Sequence, residues 1–240
     1  MTEPLFSDAY LKSETATVTG INERGGIILD RSIFYPTGGG QPGDSGTLSW
    51  GEHSIEIATT LKGDGGSIVL VPAEGADLPE QGTVVEQTLD WEKRFSYMRV
   101  HTALHLLSVV IPLPVTGGSI SVEKGRLDFD MVDPPKDKDA LSAALNDLIQ
   151  RDLEVSEDWI TEEELDANPG LVKTMSVQPP RGAGRIRLVR IGQGDTQVDL
   201  QPCGGTHVAR TGEIGAVRLG KIEKKGARNR RVYIHLEVPS

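Results

Sequence analysis

The sequence predicts an α+β protein: a small β-barrel domain over residues 1–89, followed by a mixed α+β domain over residues 90–240. Short β-rich runs separated by Gly, Pro and Asp turns fill the first part, as in small barrels. Helical and strand-like segments without regular βαβ alternation fill the second part, which favours the α+β class. The change near Asp90 from β-rich runs to helical periodicity predicts the domain boundary.

The predicted barrel strands are five β-rich runs that follow one another along the first domain. They are ETATVTG, GGIILD, HSIEIATT, GSIVLV and GTVVEQTLD. The longest interruption is the Gly-rich loop FYPTGGGQPGDSG, residues 34–46. So many glycines permit positive φ and close approach of the backbone, so we expect either a structured turn or a loop that lines a site.

The second domain opens with a predicted helix, WEKRFSYMRVHTALHLLSVV, which has Phe95, Met98, Thr102 and Leu106 along one side and stops at Pro112. DKDALSAALNDLIQRDLEV predicts a second, amphipathic helix with an acidic outer face. The remaining predicted strands are SISVEK, RLDFDMV, GRIRLVRIG, TQVDLQP, GEIGAVRLGKIEKKG and RRVYIHLEV.

Charge is distributed unevenly along the chain, whose formal net charge is -10. From Arg181 to Arg231 there are 12 Lys or Arg residues against 4 Asp or Glu residues. This basic segment indicates either a phosphate-binding surface or a solvated, Arg-rich β surface. The single cysteine excludes an internal disulfide, and no signal-like or membrane-spanning run is evident, so the cytoplasm is the expected compartment.

Two pairs of potential metal ligands, each four residues apart, stand out in the sequence. His101 and His105 project from one face of the first predicted helix, and Cys203 and His207 flank two glycines in CGGTH. One thiolate and three imidazoles suit Zn²⁺. The alternatives are a packed histidine pair, a buried inert thiol and a core histidine. Position 102 is not glutamate, so the pattern is not the HExxH of metalloproteases.

HTALHLL and QPCGGTHVARTGEIG resemble the editing domain of alanyl-tRNA synthetase and its free-standing relatives, the AlaX-type trans-editing proteins. FYPTGGGQPGDSG looks like the Gly-rich motif in the N-terminal β-domain of the medium-length AlaX class, and RLDFD and IEKKGARNRRVYI also match the family. The resemblance covers essentially the whole chain. It implies an editing domain of the threonyl/alanyl-tRNA synthetase type over residues 90–240.

The resemblance implies an enzyme that hydrolyses the ester of mischarged tRNA(Ala) in trans, chiefly Ser-tRNA(Ala), with Gly-tRNA(Ala) as a second substrate. The family's four zinc ligands fall on His101, His105, Cys203 and His207. No catalytic side chain is assigned, and the expected nucleophile is a zinc-associated water. Synthetase editing domains commonly carry Gln in a QKGS-like turn; here the turn reads TGGS with Thr116 at that position, so a role of that Gln does not carry over.

Selectivity requires a polar group that pairs with the serine hydroxyl and is left unpaired by alanine. Thr37 is the preferred candidate, with a simple turn-forming role as its alternative, and Thr116 is the second. Gly204 and Gly205 are expected to bring backbone close to the ester. The predicted substrate-binding set is Thr37, Gly39, Gly40, Gln41, Thr116, Gly204 and Gly205.

The predicted partner is tRNA(Ala) charged with serine or glycine, bound by a monomer or weak homodimer. Candidate phosphate contacts are Arg210, Arg218, Lys221, Lys224, Lys225, Arg228, Arg230 and Arg231. Two other functions remain open at this point. One is a non-catalytic tRNA-binding module with a structural zinc, and the other is an unrelated zinc hydrolase of small esters or amides.

Overall fold

The computed structural model of the chain describes residues 1–175 and 184–237, and it divides into two compact units, Met1–Ser96 and Tyr97–Ser240. Arg181, the first residue of the predicted basic segment, and Val238, the last of a predicted strand, lie outside the described residues. The division between the two units falls inside the helix Trp91–Val110. The domain boundary predicted after residue 89 therefore stays a prediction.

The first unit is a closed six-stranded barrel in the order β2-β3-β7-β6-β5-β8, with every neighbouring pair antiparallel. Its inner face consists mainly of buried aliphatic residues that alternate with exposed polar ones along the strands, as in β6, where Glu56 lies exposed between buried Ile55 and Ile57. The predicted barrel is confirmed. The strands of this unit are β1 Glu3–Pro4, β2 Ser13–Ile21, β3 Ile27–Leu29, β4 Arg31–Ser32, β5 Gly46–Trp50, β6 His53–Lys62, β7 Ile68–Pro72 and β8 Val84–Leu89.

The strand β5 was absent from the sequence prediction. Its sequence, GTLSW, follows the Gly-rich loop directly and contains one fully buried aliphatic residue, Leu48. Strand β5 pairs with both β6 and β8, so it closes the barrel. A run this short beside five glycines carries too weak a local signal, and the two neighbouring strands decide its conformation.

The centre of the Gly-rich loop is a tight two-residue turn. Gly38 and Gln41 exchange both backbone hydrogen bonds, at 3.0 and 2.9 Å, and the two residues between them have positive φ, 58° at Gly39 and 83° at Gly40. Positive φ at both central positions is typical of a type I′ turn, and L-residues adopt positive φ at a steric cost that glycine does not have. The turn itself therefore requires these two glycines.

A buried ion pair anchors the Gly-rich loop to the first turn of helix α1, Trp91–Val110. The Arg94 guanidinium, fully buried, donates to both carboxylate oxygens of Asp44 and to the carbonyl oxygens of Ile33 and Ala9, at 2.7 and 3.1 Å. Asp44 also accepts the backbone N–H of Tyr35 at 2.6 Å. The sequence analysis did not predict this network.

The second unit contains two antiparallel sheets, one of four strands in the order β14-β15-β10-β9 and one of three in the order β11-β12-β13. Helix α2 is tied to β14 by Asn146, whose side-chain amide exchanges hydrogen bonds with the backbone of Val217. The elements after α1 are β9 Val115–Ile120, β10 Lys124–Asp130, α2 Lys138–Gln150, β11 Val155–Thr161, α3 Glu162–Ala167, β12 Arg185–Ile191, β13 Asp199–Pro202, β14 Val217–Lys224 and β15 Asn229–Leu236.

Both predicted helices are present, but the second ends at Gln150, whereas its predicted segment continues to Val155, the first residue of β11. Three further details of the prediction differ from the structure. SISVEK, predicted as one strand, spans the end of β9, a turn and the first residue of β10. GEIG at the start of a predicted strand belongs to a 3-10 turn, Thr211–Ile214. β11 and α3 were not predicted. Among the described helices, none is both long and apolar enough to cross a membrane.

Candidate metal centre

Helix α1 supplies two imidazoles of the candidate site. Asp90 caps the helix through its side chain, which accepts the backbone N–H of Lys93 at 3.3 Å. His101 and His105 follow on the same face one turn apart, with ring centroids separated by 5.3 Å, and both are buried. The spacing predicted from the sequence is therefore present in the folded helix.

The CGGTH loop supplies the thiol and the third imidazole. Strand β13 ends at Pro202, and the chain then turns so that Cys203 and His207 face each other. Arg187, on the neighbouring strand β12, donates to the carbonyl oxygens of Cys203 and Gly205 at 3.0 and 2.8 Å. These two hydrogen bonds hold the loop in its curved form.

The four predicted ligands converge. Their nearest donor atoms all lie within 4.8 Å of one another. The Cys203 Sγ atom is 3.5 Å from His101 Nε2 and 3.3 Å from His207 Nε2, and the His207 ring lies 4.6 Å from that of His105, centroid to centroid. In a zinc tetrahedron with ordinary Zn–N and Zn–S bonds, sulfur and nitrogen are about 3.5 Å apart. The two sulfur–nitrogen distances therefore match those of a tetrahedral zinc site.

A threonine determines which nitrogen of His207 faces the cluster. The Thr102 hydroxyl donates its one proton to the Met98 carbonyl at 2.9 Å and accepts the backbone N–H of Val208 at 3.2 Å. Its contact with His207 Nδ1, at 3.1 Å, must then be a hydrogen bond donated by the ring. Nε2 consequently carries the lone pair that faces Cys203.

A buried carboxylate orients His105 in the same way. Asp199 lies 3.0 Å from His105 Nδ1, accepts a hydrogen bond of 2.7 Å from Gln201 and forms an ion pair with Lys173. Both acidic oxygens are therefore occupied. A histidine that donates one N–H to a carboxylate presents its other nitrogen to a metal in a fixed direction.

The electrostatics of the cluster favour the ligand forms of its side chains. Burial lowers the pKa of His207 to about 3, aided by the charge of His101, so this ring is neutral at pH 7. Burial raises the pKa of the Cys203 thiol, but the charge of His101 and hydrogen bonds to His101 and His105 outweigh burial and hold the pKa well below its usual value. A thiolate beside neutral imidazole is the form that binds metal.

His105 is the exception among the imidazoles. Burial lowers its pKa, but hydrogen bonds to Asp199 and Cys203, together with their negative charges, raise the pKa to about 9. A metal ion must displace this proton from His105. Metal affinity is therefore expected to fall as the pH falls, since ligand protonation competes with binding. In sum, the N₃S donor set, its spacing and its fixed tautomers fit Zn²⁺.

Asp199→Asn is expected to weaken zinc binding about ten- to hundred-fold, the usual effect of losing a carboxylate that orients a ligating histidine. The amide keeps the size of the side chain but removes the charge that faces His105 and Lys173. A competition titration against a chelating dye measures the change. Asp195→Asn, at an exposed turn residue, is the matched control, and equal affinities of the two variants would contradict this role.

The other predicted site residues occupy two different environments. Thr37, Gly39, Gly40 and Gln41 belong to the Gly-rich loop of the first unit, whereas the four metal ligands belong to the second. The Thr37 hydroxyl donates to the Thr60 carbonyl at 3.1 Å and accepts the Gly43 N–H at 2.9 Å. The predicted substrate contacts of this loop stay predictions.

The remaining predicted substrate contacts lie in the second unit. The Thr116 hydroxyl donates to the Asp128 carbonyl at 3.1 Å and accepts from Asn229 at 3.2 Å. Gly204 is exposed, and among the described residues other than its two chain neighbours no atom lies within 4 Å of the position that a Cβ would take there. Gly205 is buried and its carbonyl is bonded to Arg187. Roles for these residues toward substrate stay predictions.

Most of the predicted phosphate contacts are exposed on β14, on β15 or in the turn between them. Several already form ion pairs: Arg210 with Asp152, Lys221 and Lys225 with Glu223, Arg228 with Asp130, and Arg231 with Asp128. Arg230 differs, because it is buried and donates to the carbonyl of Gly226 in that turn and to the carbonyl of Val132, which follows β10. This placement gives Arg230 a structural task, and its contact with tRNA stays a prediction.

Sequence reasoning missed the residues that support the metal ligands, namely Thr102, Lys173, Arg187, Asp199 and Gln201. One signal was available for two of them. Asp199 and Gln201 alternate with Leu200 along a predicted strand that leads to Cys203, so they share one face with the thiol. Lys173, by contrast, approaches from a distant part of the chain, and nothing local indicates it.

Comparison with known proteins gives consistent matches along the chain. Residues 186–233 match the family model described as "Threonyl and Alanyl tRNA synthetase second additional domain", and residues 5–93 match "tRNA synthetases class II (A)". The alanyl-tRNA editing protein AlaX-M of Methanosarcina mazei is 33% identical over 247 residues, which span 98% of this chain and 97% of that protein.

Two further relatives extend the comparison. AlaX-M of Saccharolobus solfataricus is 34% identical over 243 residues, which span 97% of this chain and 98% of that protein. The alanine–tRNA ligase of Pyrobaculum calidifontis is 32% identical over 230 residues, which span 92% of this chain but 25% of the ligase. The similarity thus includes both free-standing proteins and part of a much longer one.

Proposed function

The chain belongs to the family of AlaX-type alanyl-tRNA editing proteins, and from that membership we propose that it hydrolyses the ester of mischarged tRNA(Ala) in trans. Ser-tRNA(Ala) is the chief substrate and Gly-tRNA(Ala) the second. The observation that carries the proposal is the convergence of His101, His105, Cys203 and His207 within 4.8 Å of one another. We further propose that the metal is zinc and that the protein acts in the cytoplasm, as a monomer or weak homodimer.

The chemistry requires a positioned water and stabilisation of the charge that develops on the ester carbonyl. Bound zinc would polarise that carbonyl or lower the pKa of the attacking water. The chain's own part is to hold the imidazoles in fixed tautomers, through Thr102 and Asp199, and to leave open space at Gly204 where a substrate can approach the backbone. Backbone N–H groups of the CGGTH loop can then stabilise the oxyanion.

The proposal is tested by deacylation assays on Ser-, Gly- and Ala-tRNA(Ala), each with and without a chelator. We expect catalytic turnover of the serine ester, slower turnover of the glycine ester and little effect on the alanine ester, with activity lost on chelation. A protein that binds tRNA without turnover would instead be a binding module with a structural zinc. Four protein ligands, which complete a tetrahedron, are typical of that second function.

Gly204→Ala tests whether the substrate approaches the CGGTH backbone. The protein leaves open space around this Cα, and the backbone is not in the left-handed region, so the fold and zinc content should be unchanged. Deacylation should fall about ten-fold or more, because a misplacement near the reacting atoms is costly. Gly170→Ala, at another open and exposed glycine, is the control. Full activity of Gly204→Ala would remove Gly204 from the site.

Selectivity for serine is assigned to Thr37 as part of this proposal. The Thr37 hydroxyl gives its proton to the Thr60 carbonyl and uses one lone pair for the Gly43 N–H. Its second lone pair can accept a hydrogen bond from a serine hydroxyl, and alanine would leave that acceptor unpaired. A penalty of this kind discriminates more strongly than a small difference in apolar contact.

Thr37→Val is therefore expected to reduce the ratio of Ser- to Ala-tRNA(Ala) deacylation about ten-fold, the value of one hydrogen bond of ordinary strength. The substitution also removes two hydrogen bonds within the Gly-rich loop, so the folded fraction is measured in parallel. Thr37→Ser should retain the ratio, since it keeps the hydroxyl. Thr47→Val, at an exposed threonine of β5, controls for the change in residue type. An unchanged ratio in Thr37→Val would rule this role out.

A further inference from the structure

One face of the four-stranded sheet in the second unit is free of aliphatic side chains. The strand register aligns four rows of residues across it: Gly117, Asp128, Arg231 and Glu223; Ser119, Arg126 and Tyr233; Lys124, His235 and Arg218; and Asp130 and Asn229. Lys221 lies beside these rows, at the irregularity of β14. We call this surface the open sheet face.

The opposite face of the same sheet is the covered one. Leu127, Val232 and Ile234 point there and are buried. A Cβ at Gly125 would lie 2.6 Å from Val100 and 3.0 Å from Leu104, which shows that α1 packs directly on this side. The open sheet face therefore lies on the side of the sheet away from α1, the helix that carries two of the metal ligands.

The open sheet face is positively charged although the chain as a whole is acidic. Five cations lie on it, namely Lys124, Arg126, Arg218, Lys221 and Arg231, against three carboxylates, those of Asp128, Asp130 and Glu223. Asp128 accepts two hydrogen bonds of 2.8 Å from Arg231 and one of 2.9 Å from Arg126, so this carboxylate orients two guanidinium groups. The Lys221 side chain is 67% exposed and that of Arg126 is 26% exposed.

Two aromatic rings lie among these cations. Tyr233 and His235 are consecutive residues on this face of β15. Gly220 lies between them on β14, where a Cβ would come within 2.9 Å of both side chains, so the glycine lets the rings lie against the strand. The Lys221 ammonium is 5.3 Å from the centre of the tyrosine ring. Burial, and then the charges of Arg218 and Lys124, lower the pKa of His235, which favours an uncharged ring.

We propose that the open sheet face binds unpaired nucleotides of the tRNA, with bases stacked on Tyr233 and His235 and phosphates held by the surrounding Lys and Arg side chains. The inference rests on the proposed function, from which the tRNA follows. It adds Lys124, Arg126, Tyr233 and His235 to the predicted contacts and describes a docking surface separate from the ester-binding centre.

The chemistry of the surface favours single-stranded RNA as its occupant. Proteins that bind single strands combine a positive surface with aromatic rings on which bases stack. In duplex RNA the bases are paired and stacked on one another, so the rings would find no partner. A protein partner would require an apolar centre, whereas the rows of this face contain two rings and no aliphatic residue.

The test uses the full chain and two uncharged probes, a fluorescently labelled single-stranded RNA of about eight nucleotides and a blunt RNA duplex of equal charge. In the double variant Tyr233→Ala/His235→Ala, the affinity for the single strand should fall at least about ten-fold while that for the duplex stays unchanged. Trp159→Ala, at an exposed ring of the other sheet, should bind both probes like the wild type.

Charge removal provides a second measurement. In Arg218→Ala/Lys221→Ala, the slope of log affinity against log salt for the single strand should decrease by about 1.4, or about 0.7 for each lost phosphate contact. Arg190→Ala removes an arginine that is ion-paired on β12, outside the open sheet face, and should leave the slope unchanged. An unchanged slope in the double variant would overturn the phosphate contacts.

Tyr233→Phe distinguishes base stacking on Tyr233 from a structural role of this residue, because it removes the hydrogen bond of 3.3 Å to Glu223 and keeps the ring. Tyr233→Phe should bind the single strand like the wild type, and a loss as large as that of Tyr233→Ala would overturn stacking. Equal loss of duplex and single-strand binding in the double variant would overturn it as well. Zinc content and far-UV circular dichroism verify the fold of each variant.

Because both probes lack an ester, this test is independent of hydrolysis. If the wild type binds the single strand through Tyr233 and His235 but deacylates no tRNA, the proposed RNA binding by the open sheet face is upheld and the proposed function fails. If the wild type deacylates Ser-tRNA(Ala) and the double variant has an unchanged KM, the proposed function stands and the open sheet face is not used.

Discussion

His207→Ala is expected to abolish stoichiometric zinc binding and to lower the deacylation of Ser-tRNA(Ala) more than about a hundred-fold. Removing a residue that only orients a ligand already costs up to about a hundred-fold, so removing a ligand itself costs more. The substitution also leaves the Thr102 hydroxyl without the imidazole to which it is hydrogen-bonded and removes the ring nitrogen that lies 3.3 Å from Cys203 Sγ. Metal analysis of the purified protein and single-turnover deacylation measure the two effects.

The matched control is His53→Ala, because His53 is an exposed histidine of the barrel and lies outside the cluster. It should retain one zinc per chain and full activity. Zinc content equal to that of the wild type in His207→Ala would contradict the site. Full deacylation by a folded, zinc-free His207→Ala protein would show that hydrolysis does not depend on the metal.

Arg94→Met is expected to lower the free energy of unfolding of the first unit by about 3–5 kcal/mol, the usual cost of leaving one member of a buried ion pair without its partner. Methionine fills much of the arginine's volume, but the Asp44 side chain, which is 1% exposed, is left without its ion-pair partner. Two carbonyl oxygens, of Ile33 and Ala9, also lose their donors. Urea unfolding followed by tryptophan fluorescence measures the change.

Arg31→Met provides the control for residue type within the same unit. Arg31 is half-exposed and lies 3.9 and 3.8 Å from the carboxylates of Glu3 and Asp30, so its replacement should cost about 1 kcal/mol or less. A double-mutant cycle of Arg94→Met with Asp44→Asn should show strong coupling, since the two side chains share their hydrogen bonds. A cost below about 1 kcal/mol for Arg94→Met would mean that the pair does not anchor the Gly-rich loop.

Local sequence patterns predicted much of the fold. They succeeded for segments whose secondary structure is indicated by residues adjacent in the sequence. Runs rich in β-forming residues between Gly, Pro and Asp turns predicted five barrel strands, and helical periodicity predicted α1 and α2. The patterns failed where the conformation of a segment depends on the strands that pair with it. Strand β5 forms because β6 and β8 flank it, and SISVEK divides into two strands because the chain reverses between β9 and β10.

The metal ligands could be identified from the sequence because each pair is local: four residues span one helical turn in HTALH and one tight loop in CGGTH. The sequence alone also determined the barrel class, the uneven charge and the resemblance to a family. Only the tertiary structure decided that the two pairs meet, that Asp199 and Thr102 orient the imidazoles, and that Arg94 reaches Asp44. The physical reason is that buried polar groups need partners in space, and the partner of a buried side chain can come from any part of the chain.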